Sequence, residues 1–313
     1  MRLSQSLTRD PDAEALVSQV IKNGLLPLSQ QGVRRARAYI EERAAAAPPG
    51  PPVDRIEDVS IPSEGGAIRA RIYRPVGKVP MPIVVYLHGG GWVVGSVAAS
   101  DAFCRRVVDA VPCVLVSIDY RLAPEHRFPA AVQDAVAAIE WSASNGAASG
   151  GDPRRLIVLG DSAGGNLATV AVRRLLLQGK DIVARQILAY PGVTGESADT
   201  SGGSGDQWPL TAADMAWFRD QYVDKDMRSH PDVAPLNADV KGMPPTTLLL
   251  GGCDPLVAEG IAFAEHLAGA GVSVDLHLYA GQVHGFLTFD PSILPRSREA
   301  LGLVANAIRG QGS

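Results

Sequence analysis

Ser162 stands in Gly160-Asp161-Ser162-Ala163-Gly164-Gly165, directly after the apolar run Leu156-Ile157-Val158-Leu159 and at the head of a helical stretch. Glycines two residues before and after a serine let the chain turn sharply from strand to helix and lift the hydroxyl clear of the backbone. Gly165 lets the following helix pack close. A hydroxyl so placed is a nucleophile for acyl transfer, provided a base takes its proton and N–H donors meet the oxyanion. Ala163, the next residue, aims one such N–H at the place where the oxyanion would form. A tight strand–helix turn without chemistry is the plainer alternative, and the Gly-x-Ser-x-Gly pattern alone does not exclude it in a chain with 33 glycines.

His88-Gly89-Gly90-Gly91-Trp92 follows a second apolar run, Ile83-Val84-Val85-Tyr86-Leu87. Consecutive glycines allow backbone N–H groups to converge on an anion. A phosphate cradle is the rival reading, but no P-loop lysine follows and no helix starts there. Gly90 and Gly91 are the expected donors, with His88 bracing the loop by hydrogen bonding instead of moving protons.

The serine needs a base, and the base needs an orienting carboxylate. Of the six histidines, His266 falls in a helical pattern, His277 in a strand pattern, and His126 and His230 in proline-containing loops. His284, in Gly281-Gln282-Val283-His284-Gly285-Phe286, follows the last strand pattern, where a reaching side chain belongs. Asp254 follows the run Thr247–Cys253 and precedes Pro255. It fits the acid, although an aspartate there also serves as a helix N-cap. Asp119, after 113–118, is the lower-ranked alternative, and Asp161 is expected to point away from its neighbour Ser162.

These residues need a scaffold that brings strand ends together. The chain has 313 residues, 46% of them hydrophobic, enough for one large α/β domain with an accessory piece. Nearly all-apolar runs at 83–87, 113–118, 156–159, 186–190 and 246–250 read as buried parallel strands. Helical patterns lie between them near 101–111, 129–143, 164–178 and 256–270, with a last one at 296–309. Ala67 to Arg74 alternates, Ile68, Ala70 and Ile72 against Arg69, Arg71 and Tyr73, and predicts a half-exposed edge strand. Val274, Leu276 and Leu278 predict another. The rhythm implies an open, mostly parallel sheet covered on both faces.

Ahead of this block, Asp10-Pro11 predicts an N-cap and first helical residue. A second helix runs from near Ser29 through Arg43 until Pro48-Pro49-Gly50-Pro51-Pro52 breaks it as a stiff linker. Gly192 to Gln207 is a Gly/Ser-rich stem leading to a helix opened by Thr211 and carrying Met215, Trp217, Phe218 and Tyr222. It reads as a mobile insertion above the sheet's carboxyl edge. Trp92, Trp208, Trp217 and Phe218 are the expected apolar pocket wall.

The net charge of −4 is spread without a basic block, which argues against nucleic acid as a partner. Three cysteines, Cys104, Cys113 and Cys253, read as buried reduced thiols. No ligand spacing for a metal and no dinucleotide fingerprint are present, so no cofactor is expected. The opening residues lack an apolar signal segment and no run reaches membrane-spanning length, so the expected compartment is the cytoplasm.

Taken with Tyr120-Arg121-Leu122-Ala123-Pro124-Glu125, Phe128-Pro129-Ala130-Ala131 and Asp254-Pro255-Leu256, the two glycine turns and His284-Gly285-Phe286 resemble the hormone-sensitive-lipase family of bacterial carboxylesterases, in its Gly-Asp-Ser-Ala-Gly branch. The likeness spans roughly residues 50 to 310, and the order Ser162, Asp254, His284 is that of an α/β-hydrolase. The resemblance implies an eight-stranded core from 53–191 and 229–313, and a helical cap from 1–47 and 192–228. It implies hydrolysis of short- to medium-chain acyl esters, a small-molecule substrate and a homodimer through the sheet edge. The Tyr120–Pro129 run is expected to brace the site. Val257 and Ala258 stand where the family often carries charge, with Glu259 retained, and Ala234 stands where serine is common. A binding protein without turnover, and an amidase or peptidase, are the other classes open to this fold.

Overall fold

A computed structural model of the chain describes residues 8–195 and 209–310. Its centre is an eight-stranded sheet of β1 (Arg55–Ser63), β2 (Gly66–Arg74), β3 (Met81–Leu87), β4 (Val114–Ile118), β5 (Gly151–Asp161), β6 (Arg185–Ala189), β7 (Thr246–Cys253) and β8 (Val274–Val283). The order is β1-β2-β4-β3-β5-β6-β7-β8. Only the β1–β2 and β2–β4 pairings are antiparallel.

All seven residues of β3 are buried, and their period of two serves two cores. Ile83, Val85 and Leu87 face one core, which α4 (Ala130–Asn145), α5 (Ala163–Leu177) and α7 (Val257–Gly269) cover. Val84 and Tyr86 face the other, under α3 (Asp101–Ala110) and α8 (Arg296–Arg309). A strand buried on both faces must read as continuous apolar sequence, which is why these runs were legible.

The chain leaves β3 for β4 on one side, then crosses back to β5 on the other. That reversal opens a crevice beyond the carboxyl ends of β3 and β5. Register does the rest. Leu87 pairs with Gly160, so His88 and Asp161 emerge side by side. Cys253 pairs with Val283, so Asp254 and His284 emerge side by side from β7 and β8.

The N-terminal helices are α1 (Pro11–Lys22) and α2 (Leu28–Ala46), the latter kinked at Gly32; α6 (Ala212–Tyr222) lies between β6 and β7. Thr211 and Asp214 form a capping box on α6, and the Ser29 N–H at the start of α2 donates to Asp214 Oδ1 at 2.8 Å. No helix among the described residues is long and apolar enough to cross a membrane.

Three expectations need correction. The strand at 67–74 is interior; the true edge is β1, whose polar sequence buries only Ile61 fully and so gave no alternation. Tyr73 shares a face with Arg69 and Arg71, but α3 covers that face at its end: Tyr73 is buried, and its hydroxyl donates to Asp101 at 2.7 Å. Asp10 does not cap α1 with its side chain, because that carboxylate accepts from Gln282 Nε2 at 2.9 Å. Cys104, Cys113 and Cys253 are buried, and no disulfide joins them among the described residues.

Candidate active site

Ser162 sits at φ 53, ψ −119 between β5 and α5, a left-handed angle that a non-glycine residue adopts only when its surroundings impose it. The imposing contacts are tight. A Cβ on Gly160 would stand 2.2 Å from the Gly164 carbonyl oxygen, so the two arms of the turn touch through glycine alone. The Ser162 N–H donates to Ala189 O on β6 at 2.9 Å, fixing the turn to the sheet.

His284 follows β8 directly. Its Nε2 lies 2.9 Å from Ser162 Oγ, and its Nδ1 lies 2.7 Å from Asp254 Oδ2. Since a carboxylate only accepts, Nδ1 carries the proton and Nε2 is left to accept from the serine hydroxyl. Asp254 is fully buried, and its other oxygen accepts the Leu256 N–H at 2.8 Å. One oxygen thus meets the imidazole and the other closes the turn leading into α7, whose N-cap is Leu256. Asp119 is occupied elsewhere, accepting the Val97 N–H at 2.5 Å.

Asp161 does turn away from the serine, and it has its own task. Oδ1 accepts the Tyr86 hydroxyl at 2.6 Å and the Gly89 N–H at 2.9 Å, which ties the glycine loop to the serine turn. Burial raises its carboxyl above the usual range, against the lowering effect of those donors. His88 is also buried, which pushes its imidazole down and keeps it neutral; Nδ1 donates to Gly89 O at 2.7 Å while the ring stacks on Tyr120 at 4.3 Å. The Tyr120 hydroxyl donates to His88 O at 2.8 Å, so the Tyr120 run does support the loop. Gly90 and Gly91 have φ of 121 and 57, and no acceptor among the described residues takes either N–H.

A family model for the alpha/beta hydrolase fold matches residues 84–288, which hold the glycine loop, the serine turn, Asp254 and His284. The chain belongs to this α/β-hydrolase family. It is 40% identical to the carboxylic ester hydrolase LipN of Mycobacterium tuberculosis, over 90% of this chain and 77% of that protein. It is 35% identical to an ethyl acetate hydrolase of Pseudomonas putida, over 97% of this chain and 99% of that one. Its fold matches the hyperthermophilic esterase of Pyrobaculum calidifontis with a TM-score of 0.90 at 39% identity, over 97% of this chain and 99% of the other. The resemblance to hormone-sensitive-lipase type esterases holds, and the enzyme is a carboxylic ester hydrolase.

The hydrolase places Ser162, His284 and the glycine loop on the wall of a cavity of about 780 Å³. Trp92 and Phe218 also line it. Trp92 stacks on Tyr222 of α6 at 4.3 Å and nearly parallel, while Phe218 lies so close to the glycine loop that a Cβ on Gly91 would meet its ring at 2.2 Å. Trp217 stands one ring back, 5.0 Å from Phe218, and is not on the wall formed by the described residues. Trp208 lies outside the described residues.

Other parts of the wall were not anticipated. Leu28, Tyr39, Ile40 and Arg43 of α2 line the cavity, as do Leu210 and Met215. The spacing of 39, 40 and 43 marks one helical face and was available as a signal, but nothing in it says which surface that face covers. Glu259, buried at the start of α7, accepts from the Val193 N–H at 2.8 Å and from the Thr194 hydroxyl; burial raises its carboxyl. It holds the segment entering the insertion.

Proposed function

We propose that this esterase cleaves short- to medium-chain acyl esters through an acyl-enzyme. Ser162 Oγ attacks the ester carbonyl carbon as its proton passes to His284 Nε2, and Asp254 holds the ring and offsets its positive charge. The carbonyl π electrons move onto oxygen, which the N–H groups of Gly90, Gly91 and Ala163 receive. Collapse expels the alcohol, protonated by His284. Water then repeats the cycle on the acyl-serine and releases the acid.

The observation that carries this reading is the unbroken line Ser162 Oγ, His284 Nε2, His284 Nδ1, Asp254 Oδ2, with both links under 3 Å at 2.9 and 2.7 Å. The aromatic wall of Trp92 and Phe218 suits a modest acyl group, and a relative named for ethyl acetate supports short esters. In the same reading the N-terminal helices and α6 form a cap, since α2 and α6 both contribute cavity wall; residues 196–208 of the expected cap segment lie outside the described residues. β8 is the edge strand opposite β1, with Leu276 40% exposed, and would carry the expected homodimer.

The test is the hydrolysis rate over p-nitrophenyl esters of rising chain length, for wild type and Ser162→Ala. Rates are expected to peak at short or medium acyl groups and to vanish in the variant. Equal rates in both proteins would remove Ser162 from the mechanism, and a long-chain optimum would overturn the substrate class.

A further inference from the structure

Arg37 lies on α2, away from Ser162, His284 and Asp254, yet its guanidinium is spent on the glycine loop's surroundings. Nε donates to Val93 O at 2.8 Å and Nη2 to Ala123 O at 2.9 Å. The remaining bonds go to Glu125, Nη1 to Oε1 at 2.8 Å and Nη2 to Oε2 at 2.6 Å. Val93 and Ala123 are both fully buried, so these carbonyls have no water to turn to if the guanidinium is removed.

The Val93 carbonyl and the Val94 N–H belong to one planar peptide unit, so holding one aims the other. The Val94 N–H donates to Gly90 O at 2.9 Å, and the Val93 N–H donates to the same oxygen at 3.0 Å. Gly90 O and the Gly91 N–H share the next rigid unit. Fixing that carbonyl from behind therefore points the Gly91 N–H the opposite way, as a trans peptide requires. The second carbonyl that Arg37 grips closes the frame from the other side, because the Ala123 N–H donates to Trp92 O at 2.9 Å. With φ of 121 and 57 at Gly90 and Gly91, the loop has little local preference of its own and depends on this outside hold.

We propose that Arg37 is a positioning residue that sets the direction of the Gly91 N–H through two peptide planes. The proposal rests on the reading of Gly90 and Gly91 as oxyanion donors. An arginine suits the role because its planar fork grips two carbonyls and a carboxylate at once, which a lysine cannot do. The N-terminal helix thus reaches the reacting oxygen without touching substrate at Arg37.

Arg37→Met keeps the stem's packing and removes every donor. It is expected to lower kcat by about 10- to 100-fold, less than outright loss of an oxyanion donor, with KM within about twofold. The inhibition constant of a trifluoromethyl ketone, which takes up the Ser162 hydroxyl as a tetrahedral oxyanion adduct, should rise in parallel. A residue that merely fastens α2 would lower the melting temperature and leave kcat and that constant alone, and this outcome overturns the proposal. Glu125→Gln leaves the carbonyl bonds in place and should keep kcat within about twofold; a loss equal to that of Arg37→Met also overturns it. Should Arg37→Met fail to fold, the same pair of constants is read on Arg37→Lys, where a smaller fall of about 3- to 10-fold is expected and wild-type values in both refute the idea. Ser162→Ala, run alongside, reports separately on the parent reading: activity retained there sinks the serine mechanism whatever Arg37 does.

Discussion

The α-carbon of Gly164 faces the carbonyl oxygen of Leu87 so closely that a Cβ would stand 1.9 Å from it. Leu87 is the last residue of β3 and Gly164 lies in the first turn of α5, so this contact presses the serine turn against the strand that feeds the glycine loop. Nothing at the far end of a flexible side chain can yield there, because the obstacle is backbone. Gly164→Ala is expected to lower kcat/KM by at least about 100-fold, since Ser162 and the glycine loop would separate, and to cost about 2–3 kcal/mol in urea unfolding. A fully active Gly164→Ala enzyme would show that the turn and the loop do not need this spacing.

Asp254 and Asp119 both lie just past strand ends, and only the first reaches the imidazole. Asp254→Asn preserves shape and can still accept the Leu256 N–H, but it favours the wrong tautomer of His284. The expected fall in kcat is about 10⁴-fold with little change in KM. Asp119→Asn should leave kcat within a few fold and act on stability through the Val97 N–H. Steady-state kinetics of the two variants decide between the carboxylates; the reverse ranking would reassign the acid.

The parallel strands and their helices were legible because a strand buried on both faces leaves little room for polar residues. The helix patterns near 101–111, 129–143 and 164–178 correspond to α3, α4 and α5 within a residue or two. The three residues of the hydrogen-bonded line were legible for a related reason: each stands just past an apolar run, where the strand ends. What stayed hidden depends on pairing across the chain. β1 carries too few apolar residues to announce itself, and Arg37 looks like any helical arginine until Val93 and Ala123 are folded against it. Asp161 was correctly expected to face away from Ser162, but its grip on Gly89 follows from the Leu87–Gly160 register, which no local pattern encodes.

Phe218 and Trp217 are neighbours on α6 with different surroundings. Phe218 is buried and lines the cavity against Gly91, whereas Trp217 packs behind it and is partly exposed. Phe218→Ala should enlarge the cavity and shift the p-nitrophenyl ester optimum to longer acyl chains, at a cost of about 3–5 kcal/mol in stability. Trp217→Ala should leave the chain-length profile in place. If the two variants shift the profile equally, the wall is not where the cavity residues put it.

Acid stability should carry the signature of the arginine network between β1, β2 and α3. Hydrogen bonds from Arg71 and Arg69 lower the Asp58 carboxyl from 3.8 to about 2. At Asp101 burial acts upward, but hydrogen bonds from Arg105, Tyr73 and Arg71 together outweigh it and leave the carboxyl lowered. A folded value below the unfolded one means that the unfolded chain binds more protons across the interval. The stabilisation is thus present above about pH 4 and is lost as pH falls through the folded value. For Asp58 linkage alone would give about 2 kcal/mol, but the side chain is 42% exposed, and solvent screening brings the contribution below about 1 kcal/mol. Glu259 has the opposite sign: burial raises its carboxyl, so its contribution is complete below the ordinary glutamate value and is lost as pH rises through the raised one. Asp58→Asn should therefore cost something under about 1 kcal/mol in urea unfolding at pH 7 and roughly half as much at pH 3. Glu259→Gln should flatten the decline on the other side of the same profile. A cost for Asp58→Asn that is the same at both pH values would mean that its arginine contacts contribute no charge-dependent stability.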